Sequence, residues 1–85
     1  MSDLKLFTNE NFEILAYLYD RRNQDNMVTA TQGEMADALY ISRATTNKIV
    51  GELKNKGYLA LDGKHIGRYI LTKKAIRVVE LFRQL

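Results

Sequence analysis

The sequence predicts one small α+β domain, mostly α, built from a three-helix core, a β-hairpin and a C-terminal helix. The length of 85 residues fits a single domain over residues 1–85, because chains divide into several domains only beyond about 250 residues. N-cap residues followed by apolar side chains at helical spacing indicate the helices. Two short apolar segments on either side of a loop that contains glycine indicate the hairpin.

The first helix is predicted to start at the cap residues Thr8–Glu10 and to end before the polar segment Arg21–Asn26, because apolar side chains recur between them at helical spacing. The next residues, Met27–Thr29, indicate a short strand or an extended segment. No repeat, low-complexity tract or proline-rich linker interrupts the chain. Every segment therefore belongs to the same fold.

The second and third helices are predicted from two N-caps. Thr31 and Glu34 form a Thr-x-x-Glu capping box, in which the hydroxyl and the carboxylate satisfy free backbone N–H groups at a helix start. This second helix ends near Tyr40, because Ser42 is the N-cap of a third helix that Gly57 ends as a C-cap. Helices separated by roughly three residues must meet at a steep angle, which is the geometry of a helix-turn-helix.

The hairpin is predicted from the apolar segments Tyr58–Leu61 and Tyr69–Leu71, which flank the basic loop Asp62–Arg68. The loop is longer than a two-residue turn. Thr72 caps a final helix that runs to Leu85. This helix is apolar on more than one side, whereas a surface helix needs only one apolar stripe to pack on a core.

The composition excludes several classes of protein. The chain has no cysteine and a single histidine, so we expect no disulfide, no structural metal and no cofactor. No apolar stretch approaches the roughly 20 residues that span a bilayer, and the N-terminus lacks the pattern of a secretory signal, so we expect no membrane partner and a cytoplasmic location. No nucleophile, carboxylate pair or phosphate-binding loop has a convincing spacing, so we expect no enzyme activity.

The charge is distributed unevenly along the chain, although the formal net charge is only +3. Residues 1–42 hold three basic and seven acidic side chains, a net of −4, whereas residues 43–74 hold eight basic and two acidic ones, a net of +6. A basic stretch of this kind is typical of a protein that binds a polyanion. Charge alone is explained equally well by a solvated face without a partner.

Several motifs between Thr31 and Thr72 resemble those of a known family. The stretch Met35–Leu53, closed by Lys56–Leu59, resembles MarR-type and related bacterial regulators, and Leu71–Ala75 resembles the Leu-Thr-x-x-Gly motif at the start of their last helix. Within the stretch, Tyr40 stands where such turns often use glycine, and the chain is shorter than a full MarR-type protein. The resemblance implies a winged helix-turn-helix DNA-binding protein of the MarR-like bacterial transcriptional regulator superfamily.

The third helix is the predicted reader of DNA, because the major groove accepts one α-helix and this fold presents the second helix of the helix-turn-helix to it. Thr46, Ile49, Val50 and Leu53 form its predicted buried stripe, although Thr46 replaces the aliphatic residue usual in the family. Arginine suits guanine, asparagine suits adenine, and an alanine or threonine methyl meets a thymine methyl. The predicted DNA-binding residues on this helix are Ser42, Arg43, Ala44, Thr45, Asn47 and Lys48.

The remaining predicted contacts lie in the β-hairpin, which is the wing of this fold, and at the start of the last helix. Lys64, His65 and Arg68 belong to the basic loop, which is expected to lie along the DNA backbone or in a minor groove. Lys73 and Lys74 oppose the dipole of the last helix unless they contact phosphates; Lys73 is the one predicted to bind DNA. Within the third helix, the low helix propensity of glycine at Gly51 suits a close phosphate or a tight helix contact; we favour the helix contact.

The predicted function is sequence-specific binding of double-stranded DNA by a transcriptional regulator, a repressor. A homodimer is expected through the C-terminal helix, because a second copy would cover its excess apolar surface. Two alternatives remain: a replication or partition protein of a plasmid or phage, and a winged helix used for protein–protein contact. The basic stretch over residues 43–74 argues against a winged helix used only for protein–protein contact. The residues expected at the dimer interface are Val78, Leu81, Phe82 and Leu85, with Leu4, Leu6 and Phe7.

Overall fold

The computed structural model describes residues 9–63 and 67–84. Four helices and three strands occur in these residues, in the order predicted from the sequence. The predicted class, α+β and mostly α, is confirmed, and the predicted cap Thr8 lies outside the described residues. The elements are α1 (Asn9–Arg21), β1 (Met27–Thr29), α2 (Gln32–Leu39), α3 (Arg43–Asn55), β2 (Leu59–Leu61), β3 (Arg68–Leu71) and α4 (Lys73–Gln84).

The helix starts follow the predicted N-caps. Thr31 Oγ1 accepts a hydrogen bond from the backbone N–H of Glu34 over 3.0 Å, which is the hydroxyl half of the predicted capping box. Ser42 Oγ accepts from the backbone N–H of Thr45 over 3.0 Å. Thr72 Oγ1 accepts from the backbone N–H of Ala75 over 3.2 Å. Local hydroxyl groups therefore set where α2, α3 and α4 begin.

The helix α3 ends in a Schellman motif. The N–H of Tyr58 donates to the carbonyl of Leu53 over 2.9 Å, and the N–H of Gly57 donates to the carbonyl of Lys54 over 3.1 Å. Gly57 adopts the left-handed conformation that this motif requires, with φ of 84°. The predicted glycine stop is confirmed, and it turns the chain from α3 into β2.

The three strands form one antiparallel sheet in the order β1-β3-β2. The hairpin pairs β2 with β3, with Leu59 opposite Leu71, and β1 pairs with the other edge of β3, with Met27 opposite Ile70. The hairpin prediction is confirmed, and so is the short strand at Met27–Thr29. The sheet places the hairpin next to α3, because β2 follows directly from the end of that helix.

The core lies between the helices and one face of the sheet. Thr46, Ile49, Val50 and Leu53 are the buried residues of α3, as the helical spacing predicted. Thr46 is fully buried, and its hydroxyl donates to the carbonyl of Ser42 over 2.9 Å, so a polar group in the core is satisfied by its own helix. The other large core residues include Ile14, Leu15, Leu18, Met35, Tyr58, Leu59, Tyr69, Leu71 and Val79.

The helix α4 packs against α1 and leaves apolar side chains outside. Ala75 and Val79 are buried, whereas Leu81 is 56% exposed and Phe82 is 38% exposed. The ring of Phe82 lies 5.2 Å from that of Phe12 on α1, measured between centroids. Leu4, Leu6, Phe7 and Leu85 of the predicted interface lie outside the described residues. Within the part of the chain that the structure describes, no helix combines the length and apolar character needed to cross a membrane.

Candidate nucleic-acid interface

The outward face of α3 carries the side chains predicted to read DNA. Because the buried stripe faces the core, Arg43, Ala44, Asn47 and Lys48 are exposed and Thr45 is half-buried. These side chains form one surface, the α3 face, at the start and middle of the helix. It offers cationic groups, an amide, a hydroxyl and a methyl group, which are the groups that hydrogen-bond or pack against base edges.

Ser42 is held within the turn before α3. Its hydroxyl accepts from the N–H of Thr45 and donates to Thr45 Oγ1 over 2.9 Å. A serine hydroxyl has one proton to donate, so Ser42 uses that proton inside the protein. Thr45 Oγ1 accepts this bond and keeps its own proton. One of the two hydroxyl protons is therefore used inside the turn, and the other is available to an external group.

A side-chain hydrogen bond joins the α3 face to the start of α2, beside the sheet. Gln32 Nε2 donates to Asn47 Oδ1 over 3.1 Å, and Gln32 and Tyr69 of β3 line the same cleft beside α3. Burial raises the pKa of Tyr69, and Gln32 opposes that rise. Gln32 and Tyr69 were not predicted as site residues. No local pattern could identify them, because their partners are distant in the sequence.

Arg43 extends toward the start of α2. A Cβ atom at Gly33 would lie 3.8 Å from Arg43 Cζ and Nε, so the guanidinium lies over the space that the glycine leaves. Gln32 and Gly33 on α2 therefore lie beside Arg43 and Asn47 on α3. The first turn of α2 and the α3 face form one continuous surface.

A cleft of about 410 Å³ separates α3 from the hairpin. Gly51 lies on its α3 side, where a Cβ atom would meet nothing within 4 Å. The favoured interpretation of Gly51 as a tight helix contact is therefore wrong: its missing side chain borders open space. The cleft is lined by Gln32, Asn47, Val50, Gly51, Lys54, Leu61, Asp62, Gly63, Gly67 and Tyr69.

Arg68 lies in the wing, but as a strand residue. It is the first residue of β3 and opposite Thr29 in the sheet register, whereas the sequence placed it in the flexible loop. Arg68 Nη1 lies 3.3 Å from Asp62 Oδ2, so an acidic side chain of the same hairpin partly neutralises its charge. The prediction of a loop position is wrong, because pairing with β1 extends β3 by one residue. Lys64 and His65 lie outside the described residues.

Gly67 holds the base of the hairpin against the segment before α2. Its backbone has φ of 80°, and the N–H of Ala30 donates to its carbonyl over 2.8 Å. A Cβ atom at Gly67 would lie 3.2 Å from the carbonyl oxygen of Ala30. The close approach and the positive φ both require glycine here.

The two lysines at the start of α4 have different surroundings. Lys73 is exposed. Lys74 Nζ donates to the carbonyl of Lys56 over 3.0 Å and lies 4.5 Å from the centroid of the Tyr58 ring. Contacts with the end of α3 therefore account for the position of Lys74 without a phosphate, whereas Lys73 opposes the dipole of α4.

The architecture defines the class of protein. A helix-turn-helix formed by α2 and α3, followed by a β2–β3 hairpin beside α3, is a winged helix-turn-helix. The family model described as "MarR family" matches residues 7–68. The chain therefore belongs to the MarR family of transcription regulators, which confirms the resemblance of its motifs.

Solved structures of MarR-family regulators have the same fold. Staphylococcus aureus MepR, a transcription regulator of the multidrug efflux pump MepA, is 29% identical with a TM-score of 0.72, over 98% of this chain and 62% of MepR. The S. aureus MepR–DNA complex is 32% identical with a TM-score of 0.70, over 98% of this chain and 70% of that one. A MarR family protein from Bacillus stearothermophilus is 25% identical with a TM-score of 0.72, over 92% of this chain and 52% of that one.

The chain spans less than two thirds of the length of several of these regulators. None of the curated proteins matches its sequence.

Proposed function

We propose that this protein binds duplex DNA in a sequence-specific manner and represses transcription, with α3 in the major groove. The observation that carries the proposal is the α3 face, where Arg43, Ala44, Asn47 and Lys48 are exposed beside the hairpin. Membership of the MarR family supports the regulatory role, and the likeness to a MepR–DNA complex supports duplex DNA as the partner. Such a regulator acts in the cytoplasm, where bacterial DNA lies.

On the α3 face, each side chain has a proposed role. Arg43 and Lys48 bind guanine edges or nearby phosphates, Asn47 binds adenine, and the methyl groups of Ala44 and Thr45 contact thymine. The N–H groups and the dipole at the start of α3, capped by Ser42, favour a phosphate nearby. These contacts would give the protein its base preference.

The wing and the start of α4 supply contacts that do not depend on base sequence. Lys64, His65 and Arg68 bind the DNA backbone or a minor groove, and Lys73 binds a phosphate. Arg68 shares its charge with Asp62, so its contribution is smaller than that of an unpaired arginine. Replacing Arg68 or Lys64 should weaken binding to all sequences equally and flatten the salt dependence.

The active form is proposed to be a homodimer that pairs through α4. The exposed apolar side chains of Leu81 and Phe82 support this interface, because a second copy would remove them from water. A two-fold dimer presents two copies of α3, so its target is expected to contain two half-sites one or more helical turns apart.

The first test measures binding of the full chain to a labelled random-sequence duplex across a salt series. Phosphate contacts make the logarithm of affinity fall linearly with the logarithm of salt concentration. A slope that corresponds to several phosphates supports the proposal, and selection of a preferred site then tests for a palindrome at a promoter. Absence of binding at low salt would contradict it and favour a winged helix that contacts another protein.

Variants on the α3 face and a control elsewhere test whether this face binds DNA. Replacing Arg43 or Lys48 with alanine should reduce the preference for the selected site over random DNA. Replacing Arg77 with alanine removes the same charge from an exposed position on α4 and should leave the preference for the selected site unchanged. Equal preference in all three variants and the unmodified chain would show that the assigned surface is wrong.

A further inference from the structure

Tyr40 has an unusual backbone and an unusual exposure. It is the C-cap of α2, with φ of 57° and ψ of 43°, and its N–H donates to the carbonyl of Ala36. The following N–H, of Ile41, donates to the same carbonyl over 3.1 Å. This left-handed conformation disfavours any residue with a Cβ, and glycine would make the same backbone bonds without strain. The side chain is 95% exposed.

In the described part of the chain, one other non-glycine residue has a positive φ, and its side chain forms a hydrogen bond within the fold. Asn26 has φ of 61°, and asparagine tolerates this region. Its Oδ1 accepts from Arg22 Nε over 3.2 Å, and its carbonyl accepts from the N–H of Leu71 over 2.8 Å. The Asn26 side chain thus takes part in the fold, whereas 95% exposure leaves the Tyr40 side chain almost wholly outside it.

The position of Tyr40 indicates what it contacts. It lies in the helix-turn-helix turn, two residues before Ser42, the N-cap of α3. Arg43 and Lys48 make the neighbouring start of α3 basic and exposed. The exposed Tyr40 side chain is therefore within two residues of the turn of α3 that a polyanion would approach. Tyrosine hydroxyl groups are among the side chains that hydrogen-bond phosphate oxygens at protein–DNA interfaces.

We propose that Tyr40 binds the DNA backbone, with its hydroxyl donating to a phosphate oxygen at the edge of the groove that α3 enters. This inference rests on the proposed function and adds a DNA contact made by a residue of the turn before α3. The tyrosine keeps a strained backbone because its side chain contributes to binding, so stability and binding oppose each other at this position.

Two variants of the full chain test the proposal: Tyr40→Phe, which removes only the hydroxyl, and Tyr40→Gly, which also relieves the backbone. Binding to a labelled random-sequence duplex is measured across a salt series, and unfolding is measured with urea. Tyr40→Phe should weaken binding by about three- to tenfold. Tyr40→Gly should weaken it at least as much while moving the urea midpoint upward. The salt slope should stay unchanged, because a neutral hydroxyl releases no counterion.

Asn26→Gly is the matched control, since it replaces the other left-handed residue, which lies between α1 and β1, and it should leave affinity unchanged. If both Tyr40 variants bind like the unmodified chain, the Tyr40 contact is wrong and the proposed function stands. If only Tyr40→Gly weakens binding, the hydroxyl bond is wrong. If the unmodified chain does not bind DNA at low salt, the proposed function fails, and the Tyr40 contact fails with it.

Discussion

Gln32 Nε2 donates a hydrogen bond to Asn47 Oδ1 over 3.1 Å, which joins the first residue of α2 to the outward face of α3. An asparagine that recognises adenine must hold its amide plane in register with the base edge, since Oδ1 accepts from N6 and Nδ2 donates to N7. The bond from Gln32 fixes which way the Asn47 amide faces. Gln32 thus acts as a positioning residue for the proposed base contact.

Replacing Gln32 with alanine should therefore lower the preference for adenine at one base pair of the selected site, by up to about tenfold. The salt slope should not change, because no charge is lost. The measurement is affinity for a set of duplexes that differ at single base pairs. Asn47→Ala should remove the same preference, and the double variant should lose no more. Additive losses would contradict the coupling.

Asp62 should restrain DNA binding through Arg68, whose Nη1 lies 3.3 Å from its carboxylate. Asp62→Asn removes a negative charge from the cleft and releases the arginine. Affinity for a random duplex should rise, and the salt slope should steepen by about one unit, the amount expected for one added phosphate contact. When Asp62→Asn is combined with Arg68→Gln, the salt slope should be no steeper than that of Arg68→Gln alone. An unchanged affinity in Asp62→Asn would place the hairpin away from the DNA.

Gly51→Ala should stabilise the fold by up to about 1 kcal/mol, because alanine has a higher helix propensity and the added Cβ meets nothing within 4 Å. Urea unfolding of the two proteins measures the difference. Gly67→Ala is the opposite case, since φ is 80° and the Cβ would lie 3.2 Å from the carbonyl oxygen of Ala30; it should be less stable than the unmodified chain. A loss of stability in Gly51→Ala would mean that the glycine serves the packing of α3.

Leu81→Arg should convert the proposed dimer into a monomer. Leu81 is 56% exposed on α4, and an arginine there would place a charge in an apolar interface. Sedimentation equilibrium measures the mass. Leu61→Arg is the control, because Leu61 is 47% exposed on the hairpin and receives the same change away from α4. A dimer that persists in Leu81→Arg would contradict pairing through this part of α4.

Acid should weaken the link between α1 and α4. Arg83 donates to both carboxylate oxygens of Asp20, over 2.7 and 2.8 Å, and this lowers the pKa of Asp20 below its ordinary value of 3.8. A lowered pKa in the folded state stabilises the fold above pH 3.8, and the contribution disappears as the pH falls below that value. The stability difference between the unmodified chain and Asp20→Asn should therefore shrink in acid. A difference that is constant with pH would mean that the ion pair does not stabilise the fold.

The sequence by itself determined the helices, the helix-turn-helix and the class of protein. Thr31 and Ser42 cap helices through bonds to residues three positions away, and Gly57 ends α3 through bonds within the same turn. The buried stripe of α3 follows from helical spacing, so its outward face could be predicted as well. These features depend on neighbours in the chain, and a local pattern is enough to identify them.

Only the tertiary structure decided the contacts that shape the candidate interface. Pairing of β1 with β3 made Arg68 a strand residue, Asp62 took part of its charge, and Gln32 met Asn47 across two helices. Gly51 borders open space because the hairpin leaves a cleft beside α3. Each of these outcomes depends on which distant segments meet when the core packs, and helix caps and periodicity carry no information about those partners.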